Sequence, residues 1–357
     1  MRPPRFRFHF DGRQRGVAVV TALLLTTLAV TIVASLFWQQ QVQVRSMENQ
    51  RLHLQTRWIL RGALDWARLI LQQDGRDNQQ ITRADGVWAT PLADTRLDDY
   101  LERERQNNET YDATISGQIF DAQARYNLGN LADAGGTVDP KQLEVFKRLL
   151  TLLQLDTAPA QRVADLMAQA RKAKGNVPGQ TGQQGQTGQG QAGLQGQGQQ
   201  GQGSQQGSVS GGTARQGTTS SGRVELEPLR VEDLLAVAGV TQQSIERLRD
   251  FVIVLPPGVQ VNANTASAEV LASLAPNVSL ADAQTLIAQR KRTPWGQGNS
   301  LAYPASQPTV ATVYHSDYFL VQSQVRLERA ALVTWSLIRR EGGNTNFVAK
   351  PLWIREL

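Results

Sequence analysis

Between Val17 and Trp38 the chain carries no charged residue. That is about 22 residues, which at helical rise spans roughly 30 Å, the thickness of a bilayer's hydrocarbon core. Before it stand Arg2, Arg5, Arg7, Arg13 and Arg15 against one acid, Asp11, and Phe37 and Trp38 close it. Aromatics favour the level where lipid meets water, and excess arginine keeps its side of a span in the cytoplasm. The expectation is a single-pass protein with its N-terminus cytoplasmic and everything after residue 40 exported.

Three readings of the run are open. A cleaved secretory signal has a shorter apolar core of about 7–15 residues ending at small residues, whereas here Ala34-Ser35 runs on into Leu36-Phe37-Trp38. A plain membrane anchor accounts for the length. A third reading comes from the edge. Gly16 separates basic head from apolar run with no taper, which resembles the type IV prepilin leader, cut by its peptidase on the cytoplasmic side after the glycine. The fifth residue after that cut is Thr21, where most pilins carry glutamate.

The 357 residues carry a formal charge of +6. The head supplies five arginines and one aspartate, so the remainder holds only about +2 and no broad basic face is implied. There is no cysteine, which excludes a disulfide framework and thiol catalysis and removes the commonest zinc ligand.

Beyond Trp38 the pattern stays helical through Val42, Met47, Leu52, Trp58, Ile59, Leu64 and Leu69, and no proline occurs between Pro4 and Pro91. One helix from Val17 to Gln73 is expected, its outer half packed on a folded domain, with His53 solvent-facing or structural. From Gly75 to Asp121 short strands and turns follow. Tyr111–Ile119 alternates as a strand, and Asp98-Asp99 with Glu102 and Glu104 reads as a solvated helix face. Asp121–Leu131 is turn-rich. Leu143, Phe146, Leu149, Leu150 and Leu153 form an apolar stripe, and a further helix is expected at Ala160–Lys172. Gly175 to Gly222 is almost only Gly, Gln, Ser and Thr, with too little apolar surface to offset chain entropy, so disorder is expected. Short helices are expected at Val231–Val240, Gln242–Val254, Ala266–Leu274 and Leu280–Arg290. Tyr318–Leu327, Ala330–Arg340 and Phe347–Ile354 then read as an antiparallel meander.

No catalytic constellation is present in the sequence. His9, His53 and His315 are scattered without H-E-x-x-H spacing, and neither a nucleophile elbow nor a P-loop occurs. His315 beside Asp317 reads as a surface-loop histidine. The rival of another class is nucleic-acid binding, because Val261-Asn262-Ala263-Asn264-Thr265-Ala266 through Leu271 looks like the opening of a helix-hairpin-helix module of the DNA-uptake type. Such a module points backbone N–H groups of a glycine hairpin at phosphate. Here that position reads Ala275-Pro276-Asn277-Val278-Ser279, where proline offers no N–H and the close approach allowed by glycine is lost. Arg290, Lys291 and Arg292 equally complement a helix dipole.

Taken in order, the leader, Thr21 in place of glutamate, Asn127-Leu128-Gly129-Asn130-Leu131, two hairpin-like helical units, Val261–Ala266 and the C-terminal meander resemble the GspK family, the large minor pseudopilins of type II secretion. The resemblance implies an α+β fold: an N-terminal transmembrane pseudopilin helix, an antiparallel β-sheet, and a large inserted all-α domain with SAM-like, helix-hairpin-helix-like units. It divides the chain into a leader (1–16), a transmembrane segment (17–38), the pseudopilin helix with the first part of the head (39–121), a first helical part (122–174), the Gly/Gln linker (175–222), a second helical part (223–295) and the C-terminal meander (296–357). It implies a non-enzymatic protein of the inner membrane and periplasm at the tip of the pseudopilus, with GspI, GspJ, the major pseudopilin and the prepilin peptidase as partners. Cleavage is implied between Gly16 and Val17, with N-methylation of Val17. A subunit with none above it has no use for the glutamate, since an unpaired buried carboxylate is costly, and Thr21 suits that place. The family can bind calcium through acidic residues. Asp165 alone cannot supply the roughly six to eight oxygens calcium takes, and Glu225, Glu227, Glu232 and Asp233 follow the linker, but the sequence names no ligand set. The alternative is a membrane-anchored DNA-binding protein of an uptake system.

Overall fold

The computed structural model describes residues 15–96, 113–175, 227–296, 298–303, 307–343 and 346–357. Two compact units emerge, Met1–Ala122 with Tyr314–Leu357, and Gln123–Val313. Outside the described residues lie the leader up to Gln14, Asp98-Asp99, Glu102 and Glu104, Tyr111-Asp112, all but the first residue of the Gly/Gln tract, and Glu225.

The first unit is a helix on a sheet. Helix α1 (Arg15–Asp77) runs unbroken, as the lack of proline predicts. Leu52, Thr56, Leu60, Leu64, Ala67 and Leu71 recur at steps of three and four and are its buried face. That face meets strands β1 (Leu92–Arg96), β2 (Ala113–Asp121), β3 (Tyr318–Leu327), β4 (Ala330–Gly343) and β5 (Asn346–Glu356), which lie in that order in one antiparallel sheet. Period two puts Ile115 and Ile119 on β2, Phe319, Val321 and Val325 on β3, Ile338 on β4 and Ala349 on β5 toward the helix. Trp88 completes this core, edge-on to Phe319 with ring centroids 5.4 Å apart. Glu328-Arg329 is a two-residue hairpin turn between paired Leu327 and Ala330, with Glu328 at φ 51°. Pro351 sits on the edge strand, where a missing donor is tolerated, beside the register shift at Leu337/Ile338.

The second unit holds α2 (Pro140–Leu152), α3 (Pro159–Gly175), a 3-10 turn (Val231–Ala236), α4 (Gln242–Leu248), α5 (Ala268–Leu274) and α6 (Leu280–Arg292). Its helix starts follow capping chemistry. Asp139 accepts from Lys141 and Gln142 N–H ahead of Pro140, and Thr241, Ser267 and Ser279 cap α4, α5 and α6. The stripe Leu143, Phe146, Leu149 and Leu150 is buried.

Three sequence expectations change here. The helix expected over Gln242–Val254 stops at Leu248, because Val252-Ile253 pairs in parallel with Tyr126-Asn127. The stretch Val231–Val240 is a 3-10 turn that ends at Ala236. Residues 296–313 group with the helical unit rather than with the meander, since Thr312-Val313 pairs with Val261-Asn262.

Candidate functional site: a membrane-length helix seated on a sheet

Every residue from Val17 to Trp38 is exposed, and this stretch of α1 is long and apolar enough to cross a membrane. Its threonine hydroxyls bond back onto the helix itself. The Thr21 hydroxyl donates to the carbonyls of Val17 and Ala18 at 3.0 Å, and Thr26, Thr27 and Thr31 each donate to the carbonyl three residues back. Nothing lies within 4 Å of the place a Cβ would occupy at Gly16, so the fold itself does not require glycine there.

The outer half of α1 is held by polar ties as well as by its apolar seat. Arg57 pairs with Glu356 at 2.9 Å and Arg329 with Glu48 at 3.3 Å, both exposed, while Arg68 Nε donates to the Ala349 carbonyl at 2.8 Å. The buried tie is Arg340. Its Nη1 donates to the Asp74 carboxylate at 2.7 Å, and its Nη2 to the Ser316 carbonyl at 2.7 Å and the Thr82 hydroxyl at 3.1 Å. Its guanidinium lies 4.9 Å from the Phe319 ring centroid and 5.9 Å from that of Phe347. Away from the seat, Leu54, Trp58 and Leu69 are exposed.

The stretch resembling helix-hairpin-helix is occupied with holding its own unit together. Asn262 Oδ1 accepts from Asn264 N–H at 2.9 Å, and the Asn264 amide pairs with the Trp295 backbone in both directions, at 2.9 and 3.0 Å. Asn277 takes φ 60°, a conformation asparagine tolerates. Arg290 donates inward to the Ala263 carbonyl at 2.6 Å, and burial pushes its pKa down to about 10. It is not presented to a phosphate. Lys291 and Arg292 remain exposed.

Of the acidic residues weighed for calcium, Glu225 lies outside the described residues and the others are each engaged elsewhere. Glu227 faces Arg171 at 3.1 Å, Glu232 stands 3.7 Å from Arg249, Asp233 accepts from the N–H groups of Leu229 and Arg230, and Asp165 accepts from Gln161. Among the described residues no three His, Cys, Asp or Glu side chains gather. His53 is exposed, and His315 lies 4.0 Å from Asp317 with both about half exposed.

Sequence reasoning missed Arg340 and Arg171, and it picked out Asn127 only as part of a motif, not for the buried bonds it makes. For Arg340 a signal existed: it shares the inward phase of Ile338 on β4.

A membrane-length N-terminal helix whose second half seats on an antiparallel sheet, with a helical unit inserted between two strands of that sheet, defines a pilin-like, helix-anchored subunit. The family described as "Type II secretion system (T2SS), protein K" matches over residues 124–257 and 261–314, together more than half of the chain. The chain belongs to the type II secretion system protein K family. It is 26% identical over 351 residues to type II secretion system protein K of Pseudomonas aeruginosa, covering 95% of this chain and 93% of that protein. It is 25% identical over 356 residues to the protein K of Pectobacterium carotovorum, covering 95% and 96%. A chain of the crystal structure of the GspK-GspI-GspJ complex from enterotoxigenic Escherichia coli shares the fold, with a TM-score of 0.54 at 16% identity over 87% of this chain and 98% of that one.

Proposed function

We propose that this chain is a minor pseudopilin of type II secretion that caps the tip of a periplasmic pseudopilus and works mechanically rather than by catalysis. The observation that carries the reading is the half-and-half helix: α1 is wholly exposed and apolar over Val17–Trp38 and then seated on the sheet from Leu52 to Leu71, in a chain of the protein K family. The bare half anchors the protein in the inner membrane before assembly, with its N-terminus cytoplasmic, and packs among the helices of the major pseudopilin afterwards. The head binds the partner counterparts of GspI and GspJ. Prepilin peptidase cuts between Gly16 and Val17 and methylates the new amine on Val17. The freedom around Gly16 supports this, since the glycine answers to no packing need of the fold.

The test is expression with and without a prepilin peptidase, read by mass spectrometry of the N-terminus. The expected product starts at methylated Val17 and disappears on Gly16→Glu. An intact Met1, or a cut after Ala34, would overturn the assignment.

A further inference from the structure

The apolar seat of α1 is nearly periodic. Leu52, Thr56, Leu60 and Leu64 stand four residues apart on the helix, and inward residues repeat every second position on the strands. A helical turn rises about 5.4 Å and two strand residues about 6.6 Å. Sliding α1 by one turn sets the same stripe against the sheet again, leucine for leucine except at Thr56, whose hydroxyl is bonded to the Leu52 carbonyl at 2.8 Å, and burial of apolar surface has no direction of its own. One-turn displacements of one packed element past another are a known mode of structural change. Something else has to fix the register.

The exposed pairs Arg57–Glu356 and Arg329–Glu48 use long, solvated side chains and hold position weakly. The half-buried bond from Arg68 to Ala349 is single. Arg340 differs in kind: it is buried, and its two arms hold separate elements. Nη1 holds the last turn of α1 through Asp74, while Nη2 holds the start of β3 through Ser316 and the loop through Thr82. Ser316 in turn donates from its hydroxyl to Asp121 at the end of β2 (2.6 Å) and from its N–H to Thr82 (2.9 Å). A slip of one turn would leave a guanidinium between Phe319 and Phe347 without its carboxylate, which is strongly unfavourable.

We propose that Arg340 is a positioning residue that locks the axial register of α1 on the sheet, so that movement of the helix is delivered to the head without slippage. The delivery part rests on the pseudopilin reading; the register lock does not. Lysine cannot replace it, because one ammonium cannot span Asp74 and Ser316 as the planar fork does.

The chain has no cysteine, so introduced pairs report register cleanly. In the full-length protein in membranes, Leu60→Cys with Val325→Cys tests the observed register, since these side chains pack together. Thr56→Cys or Leu64→Cys with Val325→Cys tests one turn either way. With Arg340 present only the first pair should form a disulfide. With Arg340→Met, and equally with Arg340→Lys, slipped pairs should form and the exclusivity should be lost, while Arg57→Gln should leave the pattern unchanged. If Arg340→Met does not fold, Arg340→Met with Asp74→Leu removes both buried charges and should fold and slip. A folded variant of either kind that gives only the Leu60–Val325 disulfide overturns the lock. Prepilin processing is read separately, so failure of one conclusion leaves the other standing.

Discussion

The Asn127 side chain is buried and used at both ends. Its oxygen accepts from the N–H groups of Gly129 at 2.8 Å and Leu255 at 2.9 Å, and its nitrogen donates to the Pro256 carbonyl at 2.9 Å. One amide thus joins the 3-10 turn after Tyr126 to a loop about 130 residues later, a non-local tie. Removing it strands two backbone donors, each at about 1–3 kcal/mol, so Asn127→Ala should cost roughly 3 kcal/mol in chemical denaturation. Asn127→Asp keeps the acceptor but sets a carboxylate against the Pro256 and Val259 carbonyls. It should destabilise at neutral pH at least as much. Equal stability of Asn127→Asp and wild type would show that the donor half of the amide is idle. Arg171 works in the same manner, donating to the carbonyls of Ala132 and Gly129 while facing Glu227.

Helix α6 begins with a reciprocal capping box. The Ser279 hydroxyl accepts from Asp282 N–H at 3.1 Å, and the Asp282 carboxylate accepts from Ser279 N–H at 3.0 Å. Hydrogen bonds from the Ser279 hydroxyl and then its N–H hold the Asp282 carboxyl below the usual carboxylate range. A depressed acid pKa means this support is present above the unfolded value and is lost as pH falls through the folded one, below about pH 4. Hydrogen exchange at the Ser279 amide should therefore be slower in wild type than in Asp282→Ala at neutral pH, with the difference closing in acid. A gap that persists in acid would rule out the carboxylate as its source. Elements of this kind were legible in the sequence because their causes are local. Caps precede their helices, and Tyr318–Leu327 and Ala330–Arg340 alternate at the period of the strands they form. The overextended helix at Gln242–Val254 fails for the opposite reason: Val252-Ile253 is turned into a strand by Tyr126-Asn127, a partner that no window around residue 250 contains. The exposed half of α1 was legible for the same local reason, whereas the polar node beneath its seated half joins Asp74, Thr82, Ser316 and Arg340 from four separate stretches.

At the scale of the whole molecule, the chain forms two compact units, and the first carries the exposed half of α1. The pseudopilin reading places Thr21 at the level where a neighbouring subunit's N-terminal amine would need an acid. The Thr21 hydroxyl is satisfied by its own helix and asks nothing of a subunit above. Thr21→Glu should leave membrane insertion intact but perturb placement at the tip, measured as reduced export of a secreted substrate. Wild-type assembly and secretion by this variant would show that position 21 does not encode tip placement. The sheet also has a consequence for the order in which the molecule can be completed. Strand β2 has its partner in β3, with Ala113 opposite Leu327, roughly two hundred positions further along, so a chain emerging N-terminus first holds half a sheet with an unfilled edge for most of its passage. The residues of Gln123–Val313 are all available before β3 exists. The helical unit can close early, and α1 receives its seat last. A chain interrupted between Val313 and Tyr318 would keep the helical unit whole and lack the three strands that complete the seat of its own long helix.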